Sequence, residues 1–122
     1  MSGHCPFCQP VALFENELAC ALEDRYPVTP GHLLVVPKRH SANWFELTDR
    51  ERQAINELLL LAHDWLIERY QPAGFNIGMN CGVAAGQTVF HTHCHLIPRY
   101  EGDCDDPRGG VRAVIPDKQR YE

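Results

Sequence analysis

The sequence has no apolar run of membrane-spanning length. Stretches such as Leu58–Ala62 fall far short of the roughly 20 residues that a bilayer core requires. The opening residues, MSGHCPFCQP, lack the basic segment and apolar stretch of a secretory leader. A cytoplasmic location with no membrane partner is therefore expected. A basic excess is also missing: 11 Lys and Arg stand against 16 Asp and Glu, for a formal net charge of −5. That argues against a nucleic-acid polymer as partner, because broad contact with a phosphate backbone needs a positive surface. A small anionic ligand needs only a local site and stays open. Repeats, low-complexity tracts and linkers are absent too. Residues 1–122 are expected to form one domain, with a tail from about 101 to 122 of less regular structure.

What remains suits an ordinary soluble core, with 44% hydrophobic and 22% charged residues. Six cysteines are present, but disulfides are not expected in a chain without an export signal. Cys20, Cys81, Cys94 and Cys104 read as small buried or loop thiols. Val11–Phe14 and Glu17–Glu23 read as strands around a turn at Glu15-Asn16. Leu33–Val36 is an apolar run that Pro37 stops. Thr48 and Glu51 have capping-box spacing, and Ile55, Leu58, Leu61, Ala62, Trp65 and Leu66 recur at helical steps. A helix to about Tyr70 follows, blocked by Pro72. Gly74–Asn80 and Val89–Pro98 read as strands, with a loop over Cys81–Gly86 between them. Glu101–Gly110 reads as a loop. Strands outnumber helices without βαβ alternation, which predicts an α+β fold on a mostly antiparallel sheet.

The segment QTVFHTHCHLIPRY places His91, His93 and His95 at alternate positions. On a strand they share one face, with Phe90, Thr92, Cys94 and Leu96 on the other, toward the core. Metal ligands, catalytic groups and a chance cluster are the three readings of such a set. The crowding of three imidazoles into five positions disfavours chance. His63, on the predicted helix, reads as an ordinary surface histidine.

The run HTHCHLI, with Gly86-Gln87-Thr88-Val89 before it, resembles the signature of the histidine triad (HIT) family, His-φ-His-φ-His-φ-φ with φ apolar. TPGHLLVVPKRH (29–40) is similar to the family's upstream strand, and NCGVAAGQTVFHTH to its phosphate-binding loop. CPFC resembles the zinc-bearing N-terminus of many bacterial members. Thr92 and Cys94 are less apolar than typical φ residues. The resemblance implies a five-stranded, mostly antiparallel sheet with one long helix and a short one. It also implies a homodimer, and nucleotidyl transfer or hydrolysis at the α-phosphate of a small nucleotide substrate, with purine conjugates favoured. By resemblance His93 is the nucleophile, its Nδ1–H held by the His91 carbonyl. His95 meets the phosphate and supplies protons or stabilises charge, and His32 supports the triad. Gln87, Thr88, Gly86 and Asn80 match positions near the phosphate or leaving group, and Asp24 an acid that binds the ribose. No phosphate loop of the Gly-Lys-Ser/Thr type is present, so imidazoles and hydrogen-bond donors must meet the phosphate charge. Arg108 and Arg112 in the tail are candidates for a distal phosphate.

Cys5-Pro6-Phe7-Cys8 has two chemical readings. A thioredoxin-like site needs a preceding strand, and only four residues precede Cys5. A structural Zn²⁺ site needs two more ligands, which His40 and one triad histidine can supply. The resemblance assigns these to His40 and His91. Two other functions compete with the enzyme: a nucleotide-binding regulatory module with negligible turnover, and a zinc–thiol redox or metal-handling protein.

Overall fold

The computed structural model describes residues 5–121. Five antiparallel strands form one sheet: β1 (Phe14–Glu15), β2 (Ala19–Glu23), β3 (Leu33–Pro37), β4 (Gly74–Gly78) and β5 (Cys94–Arg99), in the order β1-β2-β3-β5-β4. One long helix, α1 (Asp49–Tyr70), lies across one face of it. The short helical pieces are all 3-10 turns, at 44–46, 83–85, 110–114 and 116–118. Among the described residues no helix is long and apolar enough to cross a membrane.

The strands are shorter than their apolar patterns. Val11 is exposed, and Asn16 rather than Glu15 makes the turn, its side chain accepting from the amides of Leu18 and Ala19. β4 stops at Gly78, short of Asn80. The larger correction concerns Val89–Pro98, where only Cys94–Arg99 is strand. β3 pairs with β5 as far as Val35 with Cys94. Farther along β3 comes Pro37, which has no amide hydrogen to continue a ladder. The chain before Cys94 bonds instead to the loop after β3, where Thr92 donates its amide to the Ser41 carbonyl at 2.7 Å. His91 and His93 therefore stand just ahead of the strand, and His95 in it.

α1 starts as its sequence dictates. Thr48 accepts from the Glu51 amide and Glu51 accepts from the Thr48 amide, completing the capping box. Gln71 closes the helix in the left-handed region at φ 49°, followed by Pro72. The helix buries Ala54, Ile55, Leu58, Ala62 and Leu66 against Ala19, Ala21, Leu33, Val35, Cys94 and Leu96 of the sheet. On its outer side Leu60 and Leu61 are exposed. Alternation then sends Cys20, Leu22, Leu34 and Val36 to the opposite face, where Phe7 and Ala12 cover them. Because Leu34 pairs with His95, the histidine also lies on that second face.

Glu51 has a further partner. Its buried carboxylate takes a two-pronged bond from Arg39, at 2.8 and 2.9 Å, which with the Thr48 cap holds it down to about 2. A carboxylate depressed in the folded state contributes stability that is complete above its unfolded value of about 4.3. That stability is lost as pH falls toward 2. With the guanidinium half-exposed, the contribution is on the order of 2 kcal/mol. Glu51→Gln keeps a capping-box residue and removes the ion pair. The wild-type melting temperature should fall more steeply than the variant's between pH 4.5 and 2; parallel curves would show that the pair contributes nothing.

Candidate functional site

The second face of the sheet carries a groove beside β5. Across from His95 stands Gly78, and nothing lies within 4 Å of the place a Cβ would occupy there. At one end the Cys5–Cys8 loop covers the sheet. At the other lie the 101–106 loop and the 3-10 turn at 110–114, next to Asn76 and Arg99. The alternation behind the histidines holds over Thr92, Cys94 and Leu96, all buried. Phe90 does not fit it: its side chain is exposed, since the chain at that point has left the ladder.

The three histidines are held differently. His91 is fully buried, and its Nε2–H donates to the Pro37 carbonyl at 2.8 Å. That bond fixes the tautomer and turns the Nδ1 lone pair toward the cysteines. Burial pushes this imidazole down from its ordinary value, with His40 and His93 adding to the effect. His93 is half-buried, and its Nδ1–H donates to the His91 carbonyl at 2.8 Å. Its Nε2 makes no bond among the described residues, so its lone pair is available. The ring touches both Phe7, with centroids 4.9 Å apart, and His95, at 5.3 Å.

His95 is oriented from behind by His32. The Val28 amide donates to His32 Nδ1 at 3.0 Å, so that neutral imidazole carries its proton on Nε2. This Nε2–H lies 2.9 Å from His95 Nδ1 and 3.3 Å from the Asp24 carboxylate. The shorter contact makes His95 Nδ1 an acceptor and leaves its own proton on Nε2. Burial pushes both imidazoles down, although Asp24 opposes the shift in each. His93 and His95 thus hold opposite tautomers, one offering a lone pair at Nε2 and the other a proton. Gly31, at φ 88°, makes the turn that delivers His32; a Cβ there would sit 3.0 Å from Leu66.

Asp24, His32 and His95 converge like a metal-binding trio. The bonding argues against that use, because His32 has no lone pair left for a cation. Cys5, Cys8, His40 and His91 fit a metal much better. Cys5 Sγ lies 3.2 Å from His91 Nδ1, Cys8 Sγ lies 3.2 Å from His40 Nδ1, and the two Nδ1 atoms are 3.2 Å apart. Ligands placed tetrahedrally around Zn²⁺ stand about 3.3–3.8 Å from one another. The Cys8 thiol is pushed up, first by its hydrogen bond to Cys5 and then by burial and the charge of Cys5. A divalent cation between the two sulfurs reverses that penalty. The fold thus brings together the four residues that the sequence resemblance named as candidate ligands.

The remaining expected residues fall in different places. Gln87 is buried, and its amide bridges the Gly82 amide and the carbonyls of Ala42 and Val89. It pins the loop before the triad, with its hydrogen-bonding groups already engaged. Thr88 and Gly86 are exposed at the rim, Gly86 at φ 93°. Asn80 is exposed two residues beyond Gly78. Arg112 is engaged within the tail: it donates to the Lys118 carbonyl and stacks on Tyr121 at 4.9 Å. Arg108 pairs with Asp106. His63 is an exposed helix residue beside Asp64.

Some groups were not legible beforehand. The Val28 amide and the Pro37 carbonyl have no side-chain signal at all. Phe7 had one: an aromatic residue between two cysteines in an otherwise polar terminus.

Comparison with known proteins agrees with this geometry. The HIT domain profile matches residues 9–102. An uncharacterised HIT-like protein of Mycoplasma pneumoniae is 45% identical over 71% of this chain and 60% of its own length. An adenylylsulfatase of Arabidopsis thaliana is 32% identical, over 85% of this chain and 56% of its own. An AP-4-A phosphorylase of Mycobacterium tuberculosis is 37% identical, over 74% and 47%. The chain therefore spans only about half to three-fifths of these relatives. A Zn-bound histidine triad family protein of Mycobacterium smegmatis shares the fold with a TM-score of 0.74 and 33% identity, over 81% of this chain and 77% of that one.

Proposed function

The chain belongs to the HIT family, whose members process small nucleotides, and from that premise we propose a nucleotidyl hydrolase or transferase. It acts at the α-phosphate of adenine (purine) nucleotide conjugates, such as nucleoside phosphoramidates or dinucleoside polyphosphates. One observation carries the reading: His93 has its Nδ1 proton tied to the His91 carbonyl, which leaves its Nε2 with a free lone pair. A neutral imidazole held this way is a nucleophile near neutral pH.

The steps follow from the tautomers. His93 Nε2 attacks phosphorus, forming a P–N bond as the bond to the leaving group breaks. The Nε2–H of His95 donates a hydrogen bond to the charge that builds during that step, and the departing atom takes its proton from solvent. Water then attacks phosphorus, the P–N electrons return to His93 Nε2, and the water proton goes to solvent. Asp24, beside His32, stands in reach of a ribose bound next to the phosphate. Cys5, Cys8, His40 and His91 would hold a Zn²⁺ that serves structure in this scheme, by fixing the segment whose carbonyl orients His93. Pairing as a homodimer belongs to the same proposal, supported by the exposed Leu60 and Leu61 on α1; a monomeric mass in solution would remove it.

The test is incubation with an adenosine phosphoramidate and with diadenosine tetraphosphate, then an alkaline quench that preserves a phosphorus–imidazole bond. An adenylyl mass on the peptide holding His93 is the expected result. Nucleotide binding without adduct or AMP release favours a binding module instead.

The tautomer chain yields a separate result. His32→Leu removes the donor that fixes His95, so Nε2 is no longer obliged to carry its proton. Turnover of a conjugate with a poor leaving group, such as an alkylamine, should fall about 100-fold. A 4-nitrophenyl ester of AMP, whose leaving group disperses its own charge, should lose less than about tenfold. Equal losses on both would reduce His32 to a packing residue.

A further inference from the structure

We propose that Phe7 is a positioning residue for His93, so that the cysteine loop serves the reaction as well as the fold. The inference rests on His93 being the nucleophile. Attack on phosphorus requires the imidazole to present Nε2 along one direction, and small departures from that geometry slow the step strongly. Little in the backbone secures this direction. The ladder between β3 and β5 reaches only Cys94, one residue beyond His93. Its ring has one hydrogen bond, from Nδ1–H to the His91 carbonyl at 2.8 Å. One bond of that kind leaves the ring free to swing, because the second torsion of histidine has broad minima.

The flanks supply the rest of the restraint. Two aromatic rings touch it, and one is His95, itself half-buried, with centroids 5.3 Å apart. The nearer is Phe7, with ring centroids 4.9 Å apart and planes inclined at 47°. Phe7 also meets His91 edge-on at 6.0 Å and packs on the Cys20, Leu22, Leu34 and Val36 cluster. Its main chain is anchored at both ends: Cys5 Sγ lies against His91, and Cys8 Sγ against His40. The aromatic wall of the nucleophile is thus carried by the segment that the four metal-ligand candidates tie down. Neither the triad spacing nor the Cys-x-x-Cys spacing contains this contact.

The test uses the full chain with its metal, as wild type, Phe7→Ala and Phe7→Leu. Metal content, kcat and KM on an adenosine phosphoramidate are measured, together with water exchange of the His93 ring Nδ1 proton by NMR. The expected alanine variant keeps the wild-type metal content and a KM within about twofold, while kcat falls about tenfold and the ring proton exchanges faster. Leucine, which restores an apolar wall, should return most of both losses. A raised KM at unchanged kcat would overturn the proposal by making Phe7 a substrate contact. Wild-type kcat and exchange in the alanine variant would overturn it outright. Loss of metal along with kcat would also overturn it, leaving Phe7 a residue of loop folding alone. If the wild type does not turn over the phosphoramidate, the functional reading fails, and the ring-proton exchange still decides whether Phe7 holds His93.

Discussion

Replacing His93 by glycine is expected to lower turnover by at least about four orders of magnitude. The adenylyl adduct on that peptide should vanish. Removing a nucleophile abolishes the covalent route rather than weakening one contact, so the loss should fall on kcat. Binding should survive within about tenfold, because Asp24, His32 and His95 form their own hydrogen-bonded set without His93. The metal should survive too, since His93 has no atom among the four converging donors. The measurement is single-turnover kinetics with an alkaline quench, paired with metal analysis of the same sample. Turnover within tenfold of wild type would move the nucleophile elsewhere, with His95 the next group to examine. Loss of metal with His93 would instead make the triad itself the metal site.

Removal of the metal should have the next largest effect. One Zn²⁺ per chain is expected, lost on Cys5→Ala or Cys8→Ser and retained in His93→Gly. The donor set explains why: two thiols and two Nδ1 atoms converge from three separate stretches of chain. A cation bound there would link the terminus to the loop after β3 and to the triad segment. Breaking that link frees Phe7 and Ala12 from the sheet face they cover. The loss of several kcal/mol should lower the melting temperature by roughly 10–20 °C. Unlike a zinc finger, the chain keeps a helix-covered core built on Leu33, Ile55, Leu58 and Leu66, so cooperative melting should persist. Turnover should fall as well, because the His91 carbonyl that orients His93 belongs to one of the four candidate ligands. Thermal melts with and without chelator, alongside metal analysis, check this. A chelator-treated sample that melts like the untreated one would leave Cys5 and Cys8 a metal-free pair of thiols.

The parts of the fold with local causes are legible in the sequence. The Thr48–Glu51 box and the three- and four-residue apolar spacing specify α1 to Tyr70, because caps and one helix face are written within a few residues of each other. The antiparallel α+β class follows from short alternating strands with no βαβ rhythm. The triad and the Cys-x-x-Cys pair are legible because chemistry-bearing residues at short spacing are rare by chance. The strand ends were less legible. Pro37 has no amide hydrogen where pairing along β3 would continue, and that effect reaches β5 across 54 positions, between His91 and Pro37. No window on the sequence near His91 contains that information.

How each imidazole is used depends on contacts between distant parts of the chain. Three histidines at equal spacing look equivalent in sequence, yet their tautomers differ because different partners take the second ring nitrogen. The Pro37 carbonyl turns His91 toward the cysteines, the His91 carbonyl leaves His93 with a free Nε2, and His32 with the Val28 amide behind it leaves His95 a donor. Two of these partners are backbone carbonyls and one arrangement depends on a backbone amide, groups that every residue carries and no sequence distinguishes. Gln87 shows the same limit from the other side, since its neighbours in sequence suggest a ligand while the fold uses its amide to hold a loop. Side-chain identity is local information; which polar group meets which is settled by packing, and at this site packing sets the chemistry.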